Sequence, residues 1–138
     1  MKIIVDTGAW IAMHDYSDQF SSLAADYYHE IRRKRALLYT NDYALDETYT
    51  RLIYDKGLSV AIQFDRQIKS AVKQNQLTIL EVDLSTRKQT WKVLKKYKDH
   101  KLSFTDGTIV ANFKDYRLDT IFTFDKHFKE LNLPTNPF

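Results

Sequence analysis

Short apolar runs and longer helical stripes alternate along the chain. Lys2 to Val5 is a compact β-branched run that stops at Asp6-Thr7-Gly8, and similar runs recur at Ala36 to Thr40, Leu77 to Val82 and Thr120 to Thr123. Each has the length and the side chains of a buried strand. Between them apolar residues return at the helical period. Phe20, Leu23, Ala24, Tyr27, Tyr28 and Ile31 make the clearest stripe. A second stripe runs through Leu45, Thr48, Tyr49, Leu52 and Ile53, and a third through Ala61, Phe64, Ile68, Ala71 and Val72. These two predict a helical hairpin closed at Gly57. Helices are also predicted over about Ser85 to Lys98 and Phe104 to Tyr116, with a short helical turn after Asp125.

Strands that alternate with helices connect by right-handed crossovers, which predicts an α/β fold: a three-layer α/β/α sandwich around a central, mainly parallel sheet. Neither a repeat nor a linker interrupts the pattern, so residues 1–138 are expected to form a single domain. Composition narrows the chemistry. Cysteine is absent, which excludes disulfides, thiolate metal sites and a cysteine nucleophile, and leaves oxygen or imidazole to bind any metal. No run approaches a membrane span, and the apolar stretch before Asp6 is too short for a signal-peptide core, so a cytoplasmic location is expected. The net charge of +3 suits a polyanionic partner without specifying one.

The acids carry more information. Asp6 directly follows the first predicted strand and Asp125 the last, and in a parallel sheet the ligand crevice lies beyond the carboxyl ends of the strands. Either residue could instead cap a helical turn, Asp6 the one containing Ala9 to Ala12 and Asp125 the one over Lys126 to Leu131. Asp106 falls in line with Ile109, Val110 and Phe113 on the apolar face of its helix, where an unpaired carboxylate would be costly to bury. Ser103-Phe104-Thr105-Asp106 also fits a capping box, and the two roles are compatible. Glu47 points roughly opposite the Leu45, Thr48, Tyr49 and Leu52 stripe. Taken alone it reads as a solvated helical glutamate, and Asp46 is the alternative ligand if the helix is rotated. If these acids converge, a like-charged pair at about 4 Å costs roughly 4 kcal/mol at an effective dielectric near 20, and a cation is required. A site built of carboxylate oxygens suits Mg²⁺ or Mn²⁺.

The segments Ile3-Ile4-Val5-Asp6-Thr7-Gly8, Leu45-Asp46-Glu47-Thr48, Leu102-Ser103-Phe104-Thr105-Asp106 and Thr123-Phe124-Asp125-Lys126-His127-Phe128 occur in the order and spacing of a PIN domain. The whole chain resembles that family, and the last segment resembles its VapC-type toxin members. The resemblance implies a Rossmann-like sandwich, a ribonuclease activity dependent on Mg²⁺ or Mn²⁺, homodimerisation, and a small antitoxin protein as partner. It carries the acidic site over to Asp6, Glu47, Asp106 and Asp125, with Thr7 and Thr123 as the hydroxyl residues near the metals. The implied reaction is hydrolysis of an RNA phosphodiester to a 5′-phosphate and a 3′-hydroxyl. Where some members carry a further acid, two positions after Asp125, this chain has His127, which is expected to be a packing or surface residue, with proton shuttling or phosphate contact as the alternative.

Candidate phosphate contacts are Arg32 and Arg33 in the basic run ending the first clear helix, and Lys95, Lys96, Lys98 and Lys101 ahead of Asp106. The lysines are the better candidates, being nearer the acids in sequence. An aspartate-nucleophile phosphatase is disfavoured because position 8 is Gly rather than a second Asp. The competing class is a non-catalytic RNA-binding or scaffold protein on the same fold, its acids serving as caps.

Overall fold

The computed structural model describes residues 1–138. Its five strands are β1 (Lys2–Val5), β2 (Leu37–Asn41), β3 (Leu77–Leu80), β4 (Thr120–Thr123) and β5 (Thr135–Pro137). They form one sheet in the order β3-β2-β1-β4-β5, and every neighbouring pair is parallel. The central β1 shows why the sheet is covered on both faces. Ile3 and Val5 point into one core and Ile4 into the other, as the period of two requires.

Four helices belong to the first face: α1 (Thr7–His14), α2 (Ser21–Arg33), α3 (Asp42–Lys56) and α4 (Leu58–Lys73). Phe64, Ile68, Leu52 and Ala24 pack there against Leu38 and Phe122. On the opposite face lie α5 (Leu84–Lys96), α6 (Phe104–Asp115) and α7 (Lys126–Glu130), where Ile109, Val110, Val93 and Phe128 pack on Ile4 and Ile121. Helix α3 feeds both cores, Leu45 and Leu52 the first and Ala44 the second, which sets its N-terminus against α6. The predicted three-layer α/β/α sandwich is therefore the fold observed. None of its helices is long and apolar enough to cross a membrane.

The hairpin of α3 and α4 closes at Gly57 as expected. Its φ of +97° is open to glycine, and its N–H reaches back to the carbonyls of Leu52 and Ile53. The remaining differences have physical causes. Residues 7–14 form a full helix rather than a local turn, and Thr7, Ala9, Trp10, Ile11 and Ala12 are all buried, so no stripe marks it. Edge strand β5 has three half-buried residues and leaves no alternation to read. The third strand ends at Leu80 instead of Val82, because Asp83 already caps α5 by accepting from Thr86 N–H.

The chain runs from β1 outward to β2 and β3, then crosses back to place β4 and β5 on the other side. The order therefore reverses between β1 and β4, which opens the crevice expected at such a switch point. Two contacts fix the helices around it. Asn41 caps α3 by accepting from Ala44 N–H at 2.8 Å, while its amide donates to Thr108 Oγ1 at 3.0 Å and Asn112 Oδ1 at 2.8 Å on α6. Gly107 lets α5 approach α6 closely. A Cβ at position 107 would stand 2.9 Å from Thr90 Cγ2, and Thr90 is pinned by its bond to Thr86 O at 2.8 Å. Overpacking should outweigh the helix propensity gained, so Gly107→Ala is expected to destabilise by about 1–2 kcal/mol in urea unfolding. A variant as stable as the wild type would refute the close approach.

Candidate metal centre

Asp6 occupies the N-cap position of α1 with extended backbone and is 4% exposed. Its carboxylate makes no capping bond, which removes the alternative of a capping role for this residue. Oδ2 instead accepts from Thr123 Oγ1 at 3.0 Å, and Thr123 Oγ1 in turn accepts from Asp125 N–H at 2.9 Å. One hydroxyl thus ties the ends of β1 and β4 together. Asp125 does cap its helix. Its Oδ1 accepts from His127 N–H at 2.8 Å and lies 3.1 Å from His127 Nδ1.

Asp106 forms the complete capping box: Oδ2 accepts from Ser103 N–H at 3.0 Å, and Ser103 Oγ accepts from Asp106 N–H at 3.0 Å. Only one carboxylate oxygen is used, so capping leaves the other for a second role. Asp106, Asp125 and His127 each offer a ligand atom, and these atoms lie within 4.8 Å of one another. His127 therefore faces the acids and is more than the packing or surface residue expected. The signal in sequence was its place two residues after a helix cap, where the first turn folds the ring back onto the capping carboxylate.

Asp6 and Glu47 stand around this group rather than inside it. Asp6 feels the charges of Asp106 and Asp125, and half-buried Glu47 acts on Asp106. Asp46 is exposed and is not among the acids acting on either aspartate. Thr7 turns its hydroxyl toward Ala44 O at 3.5 Å, a long contact, while its backbone N–H favours the Asp6 carboxylate. Asn41, which holds α3 and hence Glu47 against α6, was not singled out in sequence. Its signal was an Asn at the end of a strand run, three residues before Ala44.

Burial, followed by the Asp106 and Asp125 charges, pushes Asp6 up to about 7 against the opposing pull of Thr123 and Thr7. Burial also raises Asp106, with Asp125 and Glu47 adding to it while Ser103 resists. Neither residue forms an ion pair with a cationic side chain. A buried carboxylate without a cationic partner, facing other acids and one imidazole, is a donor set that fits a divalent cation.

The basic residues are placed less favourably than expected. Arg32 and Arg33 end α2 just before β2 begins, at the edge of the parallel sheet opposite Asp6. Lys96 Nζ lies 5.2 Å from the Tyr97 ring, whose other neighbour is Lys114 Nζ at 5.0 Å in the last turn of α6. Helices α5 and α6 run in the same direction, with Trp91 beside Phe104 and Tyr97 beside Lys114. The α5 terminus, with Lys95 and Lys96, is thereby carried away from the acids. Exposed Lys98 follows it, and exposed Lys101 alone lies just ahead of the Ser103 cap.

Residues 3–133 match the PIN domain family, and the chain belongs to it. No characterised protein sequence matches the chain at a significant level. Among solved structures, it is similar to VapC20 of Mycobacterium tuberculosis, described as a sarcin-ricin loop cleaving toxin, with 21% identity, a TM-score of 0.79 and 95% coverage of each chain. It is also similar to a chain of Rickettsia felis VapBC2 bound to a promoter DNA fragment, at 15% identity and TM-score 0.69, covering 99% of this chain and 98% of that one. The FitAcB structure from Neisseria gonorrhoeae matches at 15% identity and TM-score 0.63 over 96% and 95% of the two chains. At these identities the likeness establishes the fold.

The folded, metal-free protein keeps a proton on Asp6 up to about pH 7, whereas an unfolded chain releases it near the ordinary value of 3.8. Stability should therefore fall as pH rises through that window, by on the order of 4 kcal/mol at most. Asp6→Asn can keep the Thr123 bond without the charge. In metal-free buffer it should match the wild type near pH 4 and exceed it at pH 8, and Mn²⁺ at pH 8 should raise the Tm of the wild type more than that of the variant. Parallel pH profiles for the two proteins would rule out the buried charge.

Proposed function

We propose that this chain is a divalent-cation-dependent endoribonuclease, the toxin of a type II toxin–antitoxin pair. It acts as a single domain over residues 1–138, assembles as a homodimer, works in the cytoplasm and is silenced by a small antitoxin protein. The observation that carries the nuclease reading is the convergence of Asp106, Asp125 and His127 within 4.8 Å beside buried Asp6, with no lysine or arginine in ion-pair contact with the three aspartates. Membership of the PIN family supports it, and the fold shared with a toxin described as cleaving the sarcin-ricin loop supports RNA as substrate. Similarity to VapBC2 supports an antitoxin partner.

Asp6, Asp106, Asp125 and Glu47 would hold Mg²⁺ or Mn²⁺, with His127 at the rim of the site. When bound, such an ion supplies Lewis-acid polarisation of a phosphoryl oxygen and acidifies water at neutral pH. The protein supplies alignment. Thr123 fixes Asp6 relative to Asp125, the Ser103 box fixes Asp106, and Asn41 sets α3 so that Glu47 faces them. His127 spends Nδ1 on Asp125, and its Nε2, which has no protein partner, is free to donate to a phosphate oxygen. A scaffold that never cuts RNA gains nothing from a buried, repulsive set of acids, which disfavours the non-catalytic alternative.

The test is to induce the wild type and Asp6→Asn separately in bacteria lacking the antitoxin, and to map new 5′-monophosphate RNA ends across all transcripts. Ends at defined sites in the wild type alone are expected. Identical maps from two folded proteins would defeat the nuclease reading and favour an RNA-binding scaffold.

A further inference from the structure

One stripe of α3 leads away from the acids in both directions. Tyr43, Glu47 and Arg51 stand at successive i, i+4 positions and line a groove of about 540 Å³, with Thr105 of α6 on its other wall. Each step along the stripe rises about 6 Å, the scale of one nucleotide in an extended strand. Glu47 lines the groove together with Thr105, the residue before Asp106, so the groove borders the metal centre at this point.

The two ends of the stripe differ chemically. Half-buried Tyr43 has its ring centroid 6.1 Å from that of Phe104, which is 5.0 Å from that of Trp91. Trp91 is 57% exposed, so this aromatic row continues to the surface instead of closing into a core. At the other end Arg51 is exposed and joins no ion pair, although Glu47 and Asp55 stand one turn to either side. The groove is otherwise acidic. Asp46 is exposed there, and Asp42 is drawn toward the sheet by Val82 N–H at 2.9 Å. A phosphate in this groove thus meets one protein cation, and a base meets one aromatic wall.

We infer that Tyr43, backed by Phe104 and Trp91, stacks a base on one side of the cleaved bond, while Arg51 binds the RNA phosphate on the other side. Together they position the scissile phosphate over Glu47 and Asp106. The inference rests on the nuclease reading above and adds two positioning residues to it.

The test uses a short single-stranded RNA carrying a cleavage site mapped for the wild type, with the intact protein and saturating Mn²⁺. Tyr43→Leu and Arg51→Gln should each raise KM by roughly tenfold with a much smaller change in kcat. Tyr43→Phe should restore the wild-type KM, because stacking needs the ring and not the hydroxyl. Arg51→Gln should also reduce the slope of log(kcat/KM) against log salt by about one. Thermal melts establish that the variants fold. Unchanged KM in folded Tyr43→Leu and Arg51→Gln would overturn the inference while leaving the nuclease intact. Equal loss in Tyr43→Phe would overturn the stacking role, and loss that tracks conversion of a dimer to monomers in sedimentation would reassign the groove to a partner subunit. A wild type that cuts no RNA would bring down the nuclease reading first, and this inference with it.

Discussion

Asp6 has almost no access to water, and the nearest charges are other carboxylates. In a medium that screens poorly, such an arrangement drives the acids apart or forces one to keep its proton. The protein does the second and blocks the first. The single Thr123 hydroxyl uses its proton on Asp6 and a lone pair on the Asp125 amide, so the ends of two adjacent strands cannot splay without breaking the Thr123–Asp6 bond. The Ser103 box fixes Asp106, and Asn41 holds α3 to α6 from beneath. These bonds favour the ionised carboxylates, yet burial and mutual repulsion still win at Asp6. The metal-free site therefore keeps a proton on Asp6 in place of its full charge, and a divalent cation would take over that neutralising role.

That arrangement also accounts for what could be read from the chain. The inner strands β1, β2 and β4 lie between turn signals in mostly apolar, mostly buried runs, as a parallel sheet covered on both faces requires, whereas edge strand β3 leaves Thr78 and Ile79 exposed. Helices α2 and α4 show clear stripes because each has one wet face. Helix α1 is buried on nearly every side, so it has no polar period to detect, and β5 is too short and too evenly half-buried. The acids were identifiable by position, and so were the caps made by Asp106 and Asp125, but the bond of Asp6 to Thr123 was not. Capping failed as an account of Asp6 and held for Asp106 and Asp125, since capping uses one carboxylate oxygen and leaves the other for a second role. His127 was expected to pack or lie at the surface, because its contact with Asp125 depends on the geometry of the first turn of α7, which residue type alone does not set.

The basic residues mark the limit of sequence distance as a guide. Lys95 and Lys96 come ten or so residues before Asp106, but α5 and α6 run in the same direction, so an intervening loop must return the chain to the start of α6. The result is a polar molecule. Acids gather beyond the carboxyl ends of the strands, and Arg32, Arg33, Lys96 and Lys114 lie toward the other end. A net charge of +3 conceals this separation completely.

Polarity of this kind constrains how a nucleic acid can be held. Electrostatic attraction between exposed charges fades over about 8 Å at physiological salt, whereas a helix as long as α6 spans about 18 Å. The basic end therefore cannot compensate for the acids at the site, where phosphate and carboxylate repel. An ion in the acidic cluster reverses that sign locally, so one cation would both relieve the folded protein and admit the substrate. Once the general attraction is confined to the ion itself, selection among RNA sequences falls to short-range contacts beside it, and on the α3 side the groove offers an aromatic ring and a lone arginine. Discrimination then depends on how bases stack and how the strand is spaced, more than on how much charge the RNA carries.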